Sequence, residues 1–145
     1  MPAKKVRDLD PQKDNVYSWE DSWPGWDKNH LSFKACKELV HIACAAYDVE
    51  PPDVQEHKER TYSWSRPSTD DMSIQGGEHR GQGAKNVAIV LHETAHHIAW
   101  NLHGDRIQDH GRTFLGIYLD LLTQAMVAPR VALEASARAF KLKWK

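Results

Sequence analysis

The sequence lacks any apolar run close to the roughly 20 residues that a membrane-spanning helix needs. Its first ten residues, MPAKKVRDLD, also lack the apolar stretch of a secretory signal. We therefore expect a protein with no membrane anchor and no export signal. Internal repeats and low-complexity segments are absent as well, so the 145 residues are expected to form a single domain, residues 1–145, large enough to bury a core.

Cysteine is scarce, with only Cys36 and Cys44 in the chain. Both lie on one predicted helix, where eight residues correspond to about 12 Å, too far apart for a disulfide. Two cysteines at this spacing also do not form a zinc ribbon. They are interpreted as small reduced core residues, which favours a cytoplasmic location.

The chain has no excess of charge of either sign. Its 19 Lys and Arg residues face 20 Asp and Glu residues, giving a formal net charge of -1. A strongly basic surface for nucleic acid is therefore not indicated. The one small basic segment is the end of the chain, KLKWK, so nucleic acid remains an alternative partner that the charge does not support.

The N-terminal third combines a polar start with a tryptophan-rich segment and a helical pattern. Residues 1 to about 15 are expected to be loosely ordered. The next segment, VYSWEDSWPGWD, contains Pro24 and Gly25, which favour a loop that packs onto the body of the protein. From about residue 31 to residue 47, apolar residues recur at helical spacing, with Ser32 as a candidate cap.

The rest of the chain predicts a short sheet followed by helices. RTYSWSR and MSIQ, residues 60–66 and 72–75, are interpreted as two strands of an antiparallel hairpin, with a turn at 67–71 and a flexible glycine-rich loop at 76–83. Helices are predicted over residues 85–103, 111–126 and from Pro129 towards Phe140, with Asn86 and Asp109 as candidate caps and Gly104 as a stop. The fold class expected from this order is α+β.

The most informative segment is HETAHH, residues 92–97, inside the predicted helix 85–103. His92 and His96 are four residues apart, which places both imidazoles on one helix face, where they can bind one Zn²⁺. Glu93 is rotated by about 100° from His92 and is the candidate general base that takes a proton from water activated by the metal. This is the HExxH pattern. The alternative is a histidine-rich helix without chemistry.

A catalytic zinc site needs a third protein ligand and an open position. His110 is the best candidate, because it opens the next helix after a short connector, beside Gly111. His97 is expected to point away, towards outer contacts or solvent, and His103 lies about 10 Å further along the helix. Oxygen ligands remain open at Asp105, Asp109, Asp120 and Glu134.

The combination of HETAHHIAW with HGRTF resembles the SprT-like zincin metallopeptidases, whose pattern is HExxH, a spacer and HGxxF. The resemblance covers about residues 87–122 and suggests a stand-alone bacterial or phage member. It implies zinc ligands at His92, His96 and His110 and a catalytic Glu93. It also implies a small zincin-like domain, with an N-terminal helix, a short antiparallel sheet, an active-site helix and C-terminal helices. The chain lacks the zinc ribbon and the basic tail of some members.

The expected function is therefore that of a zinc-dependent metallopeptidase, with Zn²⁺ as cofactor and a protein or peptide as substrate. An extended substrate would add to the edge of the predicted hairpin. Tyr118, Arg112, His79 and Arg80 are candidate oxyanion donors among which the sequence does not choose. Two alternatives are a zinc-stabilised binding module without activity and a DNA-associated protease of the SprT-like type.

Overall fold

The computed structural model describes residues 10–23, 31–57, 64–66, 71–75, 78–79, 82–83, 86–104 and 106–145. Within these ranges the chain forms five helices and five short strands. The helices are α1 (Lys13–Asp21), α2 (Phe33–Ala46), α3 (Val87–His103), α4 (Arg112–Gln124) and α5 (Arg130–Ala139). The strands are β1 (Asp53–His57), β2 (Trp64–Arg66), β3 (Asp71–Gln75), β4 (Glu78–His79) and β5 (Gln82–Gly83).

The prediction of a loosely ordered start followed by a loop is wrong for Lys13–Asp21, which form helix α1. Residues 10–12 lead directly into a helix that buries Val16, Trp19 and Glu20. These positions are three and four residues apart, so they share one helix face. Pro24 and Gly25, which suggested a loop, follow the end of the helix and therefore do not interrupt it. The predictions for residues 1–9 and for Trp26 lie outside the described residues.

Trp19 confirms the expectation that this segment packs onto the body of the protein. Its side chain is fully buried, and its indole Nε1 donates to Ser136 Oγ of α5 at 2.9 Å. Trp23 packs against the core and meets the Trp19 ring edge-on, with a centroid distance of 4.6 Å. The first helix is thereby anchored to the last one.

The predicted caps of the two longest helical patterns are confirmed. Ser32 accepts a hydrogen bond from the Ala35 amide at 3.1 Å, and Asn86 accepts one from the Ile89 amide at 2.9 Å. Helix α3 ends at Gly104, whose φ of +87° lies in the region that glycine adopts without strain. Asp109, by contrast, does not cap α4, because the N-cap residue is Gly111.

Helix α3 lies at the centre of the protein, and α2, α4 and β2 pack against it. Burial on this helix is not confined to its apolar residues: every residue from Ala88 to Ala99 is buried, including the histidines and Glu93. A helix that carries polar groups into the core must satisfy them there. This central position explains how one short segment can place several titratable side chains away from water.

The larger sheet has the strand order β1-β3-β2. The predicted antiparallel pairing of β2 with β3 is confirmed, with Ser65 opposite Met72. Residues 60–63 of the predicted first strand and residues 67–70 of the predicted turn lie outside the described residues. Asp71, predicted as the last residue of the turn, is instead the first residue of β3. Strand β1 was not predicted, since DVQEH is polar apart from Val54; it pairs parallel with β3 and sets Val54 opposite Met72, both buried.

The glycine-rich segment contains a small hairpin in the part that the structure describes. Strands β4 and β5 pair antiparallel, with Glu78 opposite Gly83 and His79 opposite Gln82. The prediction of a loop over residues 76–83 is therefore wrong for these four residues. The protein as described is helix-rich with a small mixed sheet, consistent with the expected combination of helices and strands.

Cys36 and Cys44 are both buried on α2, in agreement with their interpretation as core residues. None of the described helices has both the length and the apolar character required to cross a membrane.

The end of α2 is tied to α4 by a hydrogen bond that offers a test of the packing. The Tyr47 hydroxyl donates to Asp120 Oδ2 at 2.5 Å, and burial together with Asp120 raises the pKa of Tyr47. Tyr47→Phe is expected to lower the free energy of unfolding by about 1.5–3 kcal/mol, the usual contribution of a hydrogen bond to a charged group. Urea unfolding measures this loss. A double-mutant cycle with Asp120→Ala should show coupling; strictly additive losses would contradict this assignment.

Candidate metal centre

Three histidines from two parts of the chain converge in the interior. His92 and His96 lie one turn apart on α3, and His110 lies in the connector just before α4. His92 Nε2 is 3.2 Å from His96 Nε2 and 3.3 Å from His110 Nε2. One ligand atom from each residue lies within 4.8 Å of the other two, and the three side chains are only 5–7% exposed. The structure thus brings together the three residues proposed as metal ligands.

The spacing fits a metal ion bound by three imidazoles. Two nitrogens that each lie about 2.0–2.1 Å from one tetrahedral ion are about 3.3–3.4 Å apart. The two separations from His92 Nε2, 3.2 and 3.3 Å, are close to this value. The third pair, His96 and His110, lies within 4.8 Å, and the cluster could therefore hold a metal ion.

The outer nitrogen of His92 faces a buried carboxylate on α1. His92 Nδ1 lies 2.6 Å from Glu20 Oε2, and Glu20 is 1% exposed. The Tyr118 hydroxyl of α4 donates to the same oxygen at 2.6 Å and is also 3.3 Å from the Ala88 carbonyl. A carboxylate only accepts hydrogen bonds, so Nδ1 carries the proton and the Nε2 lone pair points into the cluster.

His110 has the same kind of partner. Its Nδ1 lies 2.7 Å from Asp10 Oδ2, and its backbone N–H donates to Asp10 Oδ1 at 2.9 Å. Burial raises the pKa of Asp10, but the hydrogen bonds and charge of His110 outweigh burial and hold this pKa below its ordinary value. An ionised Asp10 requires a proton on Nδ1, which leaves Nε2 of His110 as the donor atom for a metal.

His96 is held by aromatic rings instead of a carboxylate. Its ring stacks on Trp100 at a centroid distance of 5.2 Å and on Phe114 at 4.2 Å. Burial, followed by the charges of His110 and His92, lowers the pKa of His96 well below its ordinary value. The imidazole is therefore neutral, as a metal ligand must be. Its Nδ1 has no hydrogen-bond partner among the described residues.

The other histidines near the motif lie elsewhere. His97 is fully buried, and its Nε2 is 2.7 Å from the Glu50 carbonyl oxygen, so the expected solvent-facing alternative is wrong. His103 is exposed at the end of α3 and is not part of the cluster, as expected. Neither residue contributes a ligand atom to the three-histidine centre.

The described candidates for an oxygen ligand make contacts with residues other than the three histidines. Asp109 accepts a hydrogen bond from the Trp100 side chain, and burial together with the charge of Asp10 raises its pKa. Asp120 contacts Tyr47 and Gln124, while Glu134 pairs with Arg130 and Arg138 along α5. Asp105 lies outside the described residues. Among the described candidates, His110 is the one that joins His92 and His96.

Glu93 is buried at 7% exposure, next to His92 on α3. Of the candidate oxyanion donors, Tyr118 is fully buried and directs its hydroxyl to Glu20, and Arg112 is exposed at the start of α4. The side chain of His79 and all of Arg80 lie outside what the structure describes. The candidate donor role therefore has no assigned residue.

Asp10 and Glu20 are the residues of the site that sequence reasoning missed. Both belong to the stretch that was expected to be loose or looped, about 100 and 72 residues before the histidines that they contact. One signal was present: Val16, Trp19 and Glu20 have helical spacing, which places Glu20 on the same face as two apolar side chains. No comparable signal marked Asp10.

Comparison with models of known protein families, with curated proteins and with solved structures gives no match to this chain.

Proposed function

We propose that the protein is a zinc-dependent metallopeptidase with a zincin-like domain, similar to the SprT-like zincins in its HETAH and HGRTF segments. The observation that carries the proposal is the convergence of the three Nε2 atoms, together with the burial of Glu93, the residue that follows His92 on α3. Three neutral imidazoles are a common ligand set of catalytic zinc, which retains an open fourth position. The proposed location is the cytoplasm, which the interpretation of the two buried cysteines as reduced core residues supports.

Each residue of the centre has a role in this proposal. His92, His96 and His110 hold the ion through Nε2. A bound Zn²⁺ would lower the pKa of a water molecule and polarise a peptide carbonyl. Glu93 accepts the proton of the attacking water and then gives it to the leaving amine. Because Glu93 is only 7% exposed, little water would screen its carboxylate from the charge of the proposed metal ion.

The sheet offers a place for an extended substrate. In the order β1-β3-β2, strand β2 lies at one edge of the described sheet and packs against α3, the helix that carries the motif. A protein or peptide segment can add to such an edge through backbone hydrogen bonds. A protein or peptide is therefore the proposed substrate class, and the net charge of -1 gives no comparable support for DNA.

A zinc-stabilised binding module is the second candidate, and the low exposure of the three histidines favours it. Structural zinc sites are closed and have four protein ligands. The centre brings together three ligands among the described residues, which instead leaves one position for water or substrate. This number of ligands favours a catalytic zinc site over a zinc-stabilised binding module as the proposed function.

Zinc content tests the proposal most directly. Untagged protein purified with zinc present is expected to contain one zinc per chain by elemental mass spectrometry, and His110→Ala is expected to lose most of it because two imidazoles bind far more weakly. His103→Ala is the matched control, since His103 is exposed and outside the cluster. A folded wild type without zinc would overturn the proposal. Full zinc content in His110→Ala would overturn the three-histidine centre.

A further inference from the structure

Two carboxylates from the N-terminal segment reach the outer nitrogens of two of the three histidines. Asp10 precedes α1 and contacts His110, whereas Glu20 lies near the end of α1 and contacts His92. The Nδ1 to oxygen distances are 2.7 and 2.6 Å, short values typical of hydrogen bonds to a charged acceptor. The side chains of both acids are at most 4% exposed, so water competes little for these bonds.

The contacts determine which ring nitrogen is available to a metal. A neutral imidazole has one N–H and one lone pair, and the hydrogen bond at one nitrogen selects the arrangement at the other. With Asp10 and Glu20 accepting at Nδ1, the Nε2 lone pairs of His92 and His110 both point to the shared centre. Negative charge behind the ring also makes the imidazole a stronger donor to a cation.

The two acids are held in place by further contacts of the N-terminal segment. Gln12 Nε2 donates to the His110 carbonyl at 2.9 Å, and the Lys143 amide donates to Gln12 Oε1 at 2.7 Å. Trp19, adjacent to Glu20, is fixed on Ser136. The Tyr17 ring packs against both His92 and His110, with centroid distances of 6.0 and 5.3 Å. The position of each carboxylate therefore depends on docking of the whole N-terminal segment.

We propose that Asp10 and Glu20 are positioning residues, which fix the rings of His110 and His92 with Nε2 towards the ion and make the docked N-terminal segment a determinant of metal affinity. The inference rests on the proposed metal site and extends it to residues outside the HExxH and HGRTF motifs. His96, stacked between Trp100 and Phe114, is the ligand without such a carboxylate among the described residues.

The test compares zinc affinity in Asp10→Asn, Glu20→Gln and a control. Each substitution removes a charge behind a ligand, and in Asp10→Asn the amide group must also face one of the two N–H donors of His110. Each is expected to weaken zinc binding roughly 10–100-fold in competition with a chromophoric chelator. Asp14→Asn removes the same charge from an exposed position of α1 and is expected to bind zinc as the wild type does.

Two further measurements separate positioning from a purely structural role. The visible absorption of Co²⁺, bound in place of zinc, is expected to change in both variants because the ligand geometry changes. Urea unfolding of the metal-free proteins measures folding independently of the metal. Variants that are less stable but bind zinc and Co²⁺ as the wild type does would overturn the inference.

The same experiment distinguishes this inference from the proposed function. If the wild type binds zinc and both variants match it, the positioning role is wrong and the metal site stands. If the wild type binds no zinc, the metal site itself is wrong. If Glu20→Gln does not fold, Asp10→Asn decides alone, because its partner His110 lies on a different segment from His92.

Discussion

Glu93→Gln is expected to reduce peptide hydrolysis by about 10²–10⁴-fold, the range typical of a lost general acid–base group. The amide is similar in size to the carboxylate but cannot accept the proton of the attacking water. Because Glu93 is not one of the three clustered ligands, the variant should retain its zinc. Hydrolysis of a quenched fluorescent peptide library, with zinc content measured on the same samples, provides the test.

The matched control for this experiment is Glu38→Gln, which makes the same change at an exposed position of α2. It is expected to hydrolyse peptides at the wild-type rate. Full activity in Glu93→Gln would contradict the proposed role of Glu93. Loss of zinc together with activity would show that Glu93 supports the metal centre instead of transferring a proton.

Removal of the metal is expected to lower the melting temperature by about 10 °C. At a free zinc concentration 100 times the dissociation constant, binding to the folded state contributes about 2.7 kcal/mol. For a domain of this size, 1 kcal/mol corresponds to about 4 °C. Without the ion, the inward lone pairs of His92 and His110 also face each other at 3.3 Å. Differential scanning fluorimetry before and after chelation measures the change.

The wild type should recover its melting temperature when zinc is restored, whereas magnesium, which prefers oxygen ligands, should have no effect. His110→Ala provides the comparison, since a protein that no longer binds zinc should respond little to chelation. An unchanged melting temperature in chelated wild type, with loss of zinc confirmed, would contradict a metal that stabilises the fold.

The three-histidine cluster was predictable from the sequence because its signals are local. His92 and His96 are related by helical spacing, and Asn86 and Gly104 mark the helix that carries them. His110 required one additional assumption, that the chain turns back after Gly104, and its position in the cluster agrees with this. The confirmed pairing of β2 with β3 likewise joins segments that are close in the chain.

The remaining features depend on contacts between distant segments. Strand β1 has a single buried apolar residue, Val54, and is defined by its parallel pairing with β3. Asp10 looks like an ordinary surface acid, and helical spacing places Glu20 on a buried face without indicating its partner. Only tertiary packing makes the two acids partners of histidines. Propensity and periodicity carry no information about such pairings.

The contacts of Gln12 with His110 and Lys143 have a consequence for the order of events during synthesis. They join residues 98 and 131 positions apart, so these contacts of the N-terminal segment can form only when nearly the whole chain exists. At about 5–20 residues per second, Asp10 is made roughly 5–20 s before His110. The three-histidine cluster is thus assembled late, and an interrupted chain that ends before His110 would contain the HETAHH helix without the third histidine of the cluster.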